Sequence, residues 1–279
     1  MNIILKCFLI FLLTGNVCFS QGIESIPKIK LEPKKLVVLY DMEYKPDSTN
    51  LDAIYTEPLL LQIANNQSKF ISYWIEYRDS LYNACENLQQ LDELKNNPLK
   101  KPPHTSIRYI ILKDYVEKRI THHEMILPDM FRYQEPLESF DWQITDEKKK
   151  WLKYTLQKAT TEFGGRKWEA WFAPEIPISD GPYKFNGLPG LIVIARDTRD
   201  HYVFKMRSIY VPEDNSYIEM YKNMRYVDTD KKGFVRAYKN FRQDIFERAR
   251  NAGLNSPEIF QVIAENLRKD NNPIELIFD

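Results

Sequence analysis

Apolar and polar positions along this chain change period several times, and each change marks an element. LVVLYDMEY (36–44) and PLLLQIANN (58–66) are rich in β-branched and aromatic residues and predict strands. In SKFISYWIEYRDSLYNACENL (68–88) the period shifts. Phe70, Trp74, Tyr77, Leu81 and Leu88, with Ile71, Arg78 and Cys85 nearby, recur at three- and four-residue steps. That spacing predicts a helix, with Ser68 as its N-cap. Three prolines make NNPLKKPPHTS (96–106) a loop. IRYIILKDY, KRITHHEMI and MFRYQEP then return to the strand pattern.

The sharpest local signal is TLQKATTEF-GG-RKWEAWF (155–172), two β-rich runs around Gly164-Gly165. Primed two-residue turns need positive φ, which glycine supplies, so the segment predicts a hairpin. Pairing across the turn sets Glu162 opposite Lys167 and Thr161 opposite Trp168. One face then carries Ala159, Phe163, Trp168, Ala170 and Phe172. The other carries Lys158, Thr160, Glu162, Lys167 and Glu169, with opposite charges facing or diagonal. Trp168 and Trp171 therefore point to opposite faces, one to the core and one to a partly exposed surface.

GLIVIARD (190–197) and HYVFKMRSIYV (201–211) read as a further antiparallel pair. Leu191 to Ala195 is apolar without alternation, which predicts a strand covered on both faces. The tail turns helical. Phe234, Ala237, Tyr238, Phe241, Ile245 and Ala249 form one stripe that ends near Gly253, and Ser256-Pro257-Glu258 opens a second helix. NPIELIFD (272–279) is apolar enough for a last strand. Many antiparallel strands with helices at one end make an α+β protein, a large curved antiparallel sheet packed by a few helices including C-terminal ones.

Composition changes this picture at the N-terminus. MNIILKCFLIFLLTGNVCFS has one cation, Lys6, an apolar run from Cys7 to Leu13, and small residues before Gln21. It reads as a signal peptide over 1–20, followed by a single domain over 21–279. The run is too short for a membrane span, and Gly15-Asn16-Val17 lacks the usual context of a lipid anchor at Cys18. Cleavage leaves Cys85 as the one cysteine, so no intrachain disulfide is expected. It also leaves 38 basic against 39 acidic residues, a balance that offers nucleic acid no attractive field.

Candidate chemistry concentrates in the loop from Pro174 to Gly190, seventeen residues with four prolines and no periodic pattern. Loops of that length are functional or tightly packed. Prolines make this one stiff, so it reads foremost as a rigid crossover laying Phe185 and Leu188 onto the sheet, with a binding rim as the alternative. Lys184 is expected to face solvent. Elsewhere the signals are bland. His122 and His123 alternate across a strand and cannot share an ion, and no HExxH, Gly-Lys-Ser/Thr or G-x-S-x-G occurs, so no metal and no cofactor is expected. Ser179-Asp180 reads as turn chemistry. Glu169, Glu175 and Asp180 are the carboxylates a hydrolase would need, and Arg166 could pair with one of them, first as a structural contact.

GLPGLI (187–192), KATTEFGGRKWEAWF (158–172) and APEIPISDGPYKFNGLPGLI (173–192) resemble the motifs of the GLPGLI family of exported proteins, found chiefly in Gram-negative Bacteroidota. SKF (68–70) and NPIEL (272–276) resemble further landmarks of that family, whereas Leu156 stands where many members carry cysteine. The resemblance implies export to the periplasm or outer envelope and no established activity. It singles out Arg166, Trp168, Trp171, Gly181, Phe185, Gly187, Leu188, Pro189 and Gly190 as candidate binding residues. The expected function is non-enzymatic binding of a hydrophobic ligand or peptide on the curved sheet. The alternatives are an accessory protein of an outer-membrane uptake system, interacting through its surface, and a hydrolase.

Overall fold

The computed structural model describes residues 27–137, 140–213, 215–222, 224–251, 253–254 and 256–276. The signal-peptide reading of 1–20 lies outside the described residues. In chain order come β1 (Lys28–Pro33), β2 (Leu36–Tyr44), β3 (Tyr55–Ile63), β4 (Gln67–Ser72), α1 (Tyr73–Asn83) and α2 (Leu88–Asn96). Next are β5 (Tyr109–Asp114), β6 (Arg119–Ile126), β7 (Asp129–Pro136), β8 (Gln143–Trp151), β9 (Tyr154–Phe163) and β10 (Arg166–Ala173). The chain closes with β11 (Leu191–Asp197), β12 (Tyr202–Tyr210), β13 (Tyr217–Tyr221), β14 (Tyr226–Asp228), α3 (Lys231–Asn251) and α4 (Pro257–Lys269).

Twelve strands share one sheet in the order β14-β7-β6-β5-β4-β3-β2-β12-β11-β10-β9-β8, antiparallel except for β14 on β7. β1 and β13 form a separate ribbon. The α+β architecture expected from the sequence is therefore the observed one. No helix of the described residues is long and apolar enough to cross a membrane.

The β9–β10 hairpin takes the register its sequence predicts, with Glu162 opposite Lys167 and Thr161 opposite Trp168. Gly164 and Gly165 hold φ 57 and 75 at its turn. Its polar face pairs Lys158 with Glu169 at 2.8 Å and Lys167 with Glu162 at 3.7 Å. Its other face buries Ala159, Trp168, Ala170 and Phe172. Residues Leu191 to Ala195 are all buried, as a strand covered on both faces requires.

The two faces of the sheet are covered differently. On the inner face, the side of Trp168, the main core joins Tyr40, Leu61, Phe70, Ile111 and Phe204 to the loop residues Tyr183, Phe185 and Leu188. Helix α3 closes the β6–β7 end of that face through Phe234 and Phe241 against Ile126 and Tyr133, and α4 packs on α3. On the outer face the ribbon and α1 cover Val37, Leu60, Ile71 and Ile110 with Ile75, Met220 and Tyr221.

Several expectations are corrected. The helix predicted from Ser68 begins at Tyr73, and Ser68 to Ser72 form β4, paired with β3 and β5. Phe70 and Ile71 match helical spacing, but two flanking strands satisfy the β4 backbone, and tertiary pairing overrides a short local period. The capping role passes to Ser72, whose Oγ accepts from Trp74 N at 3.2 Å. Cys85 lies beyond the end of α1 and is free. The closing NPIEL is no strand; its Asn272 and Glu275 are buried instead, and 277–279 lie outside the described residues. β1, β8, β13 and β14 had no clear apolar pattern. β8 is an edge strand whose sequence is dominated by lysine and acid, which its exposed side tolerates.

Candidate functional site

The Pro174–Gly190 loop is fixed from both sides. Its backbone closes on itself and on the strand that follows, through Ile176 N to Ala173 O at 3.1 Å, Ile192 N to Asp180 O at 2.9 Å and Leu191 N to Ile176 O at 2.9 Å. Phe185 is fully buried at the centre of an aromatic cluster, with ring centroids 4.6 Å from Trp168, 5.4 Å from Phe140 and 5.7 Å from Phe163. Such edge and tilted contacts are the favoured geometries for aromatic pairs. Gly190 lies so close to the Ala173 carbonyl that an added Cβ would overlap its oxygen and stand 2.7 Å from its carbon. Gly187 has φ 94, a conformation that side chains resist.

Charges complete the fastening. Lys113 of β5, fully buried, donates to Asp180 Oδ1 at 2.6 Å, to Gly181 O at 2.8 Å and to Phe185 O at 2.9 Å. Three acceptors satisfy the three donors of its ammonium. Burial lowers the Lys113 pKa, and the Asp180 carboxylate opposes that shift. Asp180 is thus half of a buried ion pair, where the sequence suggested turn chemistry or a carboxylate available to a hydrolase. Lys184 corrects a second expectation. It is 1% exposed, pairs with Glu275 at 2.7 Å and with Glu135, and these carboxylates also hold Lys231 at the start of α3. Tyr183 OH donates to Glu275 Oε1 at 2.6 Å. Burial disfavours the charged form of Glu275, but Lys184 and Lys231 overcome this and hold its pKa at about 2.

Arg166 sits beside this knot. Its guanidinium donates to Asp197 at 2.8 Å, Asn272 Oδ1 and Pro273 O at 2.6 Å each, and Ile274 O at 2.9 Å. Its partner is Asp197, not Glu169, Glu175 or Asp180. The fork geometry of arginine ties the C-terminal segment to the sheet.

Arg166, Trp168, Gly181, Phe185, Leu188 and Gly190 are accordingly buried together, while Gly187 and Pro189 are exposed. Trp171 faces the other side of the sheet. The inner face of the sheet, on the Trp168 side, is filled by Tyr183, Phe185 and Leu188. The carboxylates considered for hydrolysis do not converge. Glu169 binds Lys158 on the outer face, Glu175 accepts from Thr155 N at 3.0 Å, and Asp180 is buried on the inner face. His122 bonds Glu124 at 2.8 Å and stacks on Tyr133, whereas His123 points the other way, toward Tyr226. Both are buried, and burial holds the His123 pKa at about 4. Among the described residues no three His, Cys, Asp or Glu converge as a metal site would require.

An open cleft of about 320 Å³ lies elsewhere, at the β8 edge of the outer face. Three strands separate β8 from β12 in the sheet, yet the Trp151 indole donates to Met206 O at 3.1 Å. The sheet curls at this edge, and the curl creates the concavity. Glu43, Ile194, Arg196, Val203 and Lys205 line its sheet side; Lys45, Ile54, Lys149 and Trp151 close it. Of the residues singled out from sequence, Trp171 and Glu169 adjoin it, Trp171 through Lys149, which lies 3.9 Å over its ring, and Glu169 through Arg196 at 3.4 Å. The cleft was not legible in the sequence because its residues come from four separate strands and the loops beside them, and their alternation looks like any solvated face.

Residues 163–194 match the model of a family described as "Protein of unknown function (Porph_ging)". The match runs from the hairpin turn through the loop into β11, the same segment that carries the GLPGLI motifs. No curated protein sequence matches the chain. Two crystal forms of PNGF-II are similar in structure, each with a TM-score of 0.52, at 12% and 10% identity. The alignments cover 75% of this chain and 34% and 33% of the other, so the chain spans about a third of the solved structures it matches. At such identity the likeness shows a shared fold.

Proposed function

We propose that the protein is an exported binding protein of the envelope of a Gram-negative bacterium, folded as one domain after removal of residues 1–20. It holds its ligand on the curved sheet, in the cleft at the β8 edge. The observation that carries this reading is the division of labour between the two faces. On the inner face the family-like loop spends its aromatic, glycine and charged residues on internal contacts. On the outer face, exposed Ile54 and partly exposed Trp151 offer apolar surface beside charged groups, above Ile194 and Val203, which are buried. The concavity is of ligand size, a few hundred cubic ångströms, and its lining is more charged than that of a typical apolar pocket, which suits a charged ligand. The motif residues Arg166, Trp168, Gly181, Phe185, Gly187, Leu188, Pro189 and Gly190 then serve binding indirectly, by fixing the strands that carry the cleft, and Trp171 flanks it.

Hydrogen exchange of the mature protein, with and without the small-molecule and peptide fraction of envelope extract, tests this reading. Protection should appear in residues 43–54, 149–151 and 194–205. Protection confined to the 174–190 loop, or none at all, would overturn it. Export is tested separately. The chain recovered from envelope fractions should begin at Gln21, and an intact Met1 there would exclude cleavage.

A further inference from the structure

The lining of the cleft is unequal in charge. Lys45, Lys149, Arg196 and Lys205 face two carboxylates, Glu43 and Asp200. Both carboxylates are already engaged, Glu43 with Lys205 at 3.0 Å and Asp200 with Arg196 at 2.9 Å. The remaining cations, Lys45 and Lys149, have no ion-pair partner among the described residues. Lys149 instead rests on the face of Trp171. A cation left against an aromatic face at the wall of a concavity can accept an anion without breaking an existing pair.

The surroundings of Lys149 strengthen this. Burial lowers its pKa and Glu169 opposes that, while Arg196, Lys158 and Lys205 lower it further. An incoming carboxylate would relieve the mutual repulsion of these cations. The accessible apolar wall is Ile54, more than half exposed, with Trp151 partly exposed beside it and Ile194 and Val203 buried beneath. Aliphatic walls suit the side chains of a peptide better than the hydroxyl-covered surface of a sugar.

Resting on the reading that this cleft is the binding site, we infer that its ligand is a short acidic peptide, with carboxylates at Lys45 and Lys149 and an apolar side chain against Trp151 and Ile54. Calorimetric titration of the mature protein with N-acetyl-Glu-Leu-Glu and with its neutral counterpart N-acetyl-Gln-Leu-Gln-amide tests it. The acidic peptide should bind at least about tenfold more tightly, and its affinity should fall with added salt. Lys45→Gln with Lys149→Gln should abolish that preference without changing the melting temperature, because both side chains are partly exposed. Lys149→Arg should retain it. Trp151→Ala should weaken both peptides.

The possible failures differ. Equal binding of the two peptides, still dependent on Trp151, would overturn the charge inference and leave the cleft as the site. Binding that ignores both Trp151 and the lysines, or no binding of either peptide, would overturn both. Tighter binding of a galacturonate trimer than of the acidic peptide would overturn the peptide assignment.

Discussion

Lys113 Nζ lies 2.6 Å from Asp180 Oδ1, and neither side chain reaches solvent. This pair joins β5 to a loop that begins sixty residues further along the chain, at Pro174. Removing one member would leave the other charged and buried, a loss of about 3–5 kcal/mol, whereas removing both charges is much less costly. Lys113→Met should therefore lower the urea midpoint strongly. Adding Asp180→Asn, which keeps an acceptor for Gly181 N, should restore part of it. Wild-type stability in the single variant would show that the pair does not hold the loop.

Gly190 decides whether the loop can enter β11. An alanine Cβ there would collide with the Ala173 carbonyl, which is backbone and cannot turn aside. The cost should exceed the roughly 1 kcal/mol that alanine recovers by restricting the unfolded chain. Leu188→Ala, at a site 1% exposed, should cost about 2–5 kcal/mol. Thermal unfolding of both variants at wild-type temperature would refute the clamp.

Lys184→Ala should destabilise the fold by about 1.5–3 kcal/mol, because Glu275 loses one charged partner but stays paired with Lys231. From the sequence alone Lys184 looked solvent-facing, and a surface substitution would have been nearly neutral. Chemical denaturation of this variant discriminates between the two.

Glu275 gives a pH signature. Its folded pKa of about 2 lies below its ordinary value of 4.5, so its ion pairs contribute fully above pH 4.5. That contribution, roughly 3 kcal/mol, is lost as pH falls from 4.5 through about 2. Stability of the wild type measured across this window should drop more steeply than that of Glu275→Gln. Parallel curves would show that Glu275 is not held in its charged form by Lys184 and Lys231.

The sequence by itself determined the elements whose signals are local. The β9–β10 register follows from Gly164-Gly165 and from the alternation of Trp168, Ala170 and Phe172 with Lys167, Glu169 and Trp171. The α3 stripe and the Ser256 cap of α4 follow from helical spacing and capping chemistry. Tertiary structure decided what depends on partners distant in the chain. Ser68 has the chemistry of a cap and stands before a helical period, yet pairing with β3 and β5 makes it part of a strand and starts the helix after Ser72. Lys184 reads as a surface cation until Glu135, Lys231 and Glu275 surround it. Nothing near Lys149 or Trp151 in the chain reveals that β8 curls toward β12 and makes a cleft. Local periods record the backbone a segment prefers and the face it buries, whereas ion pairs and concavities are formed between segments that only folding brings together.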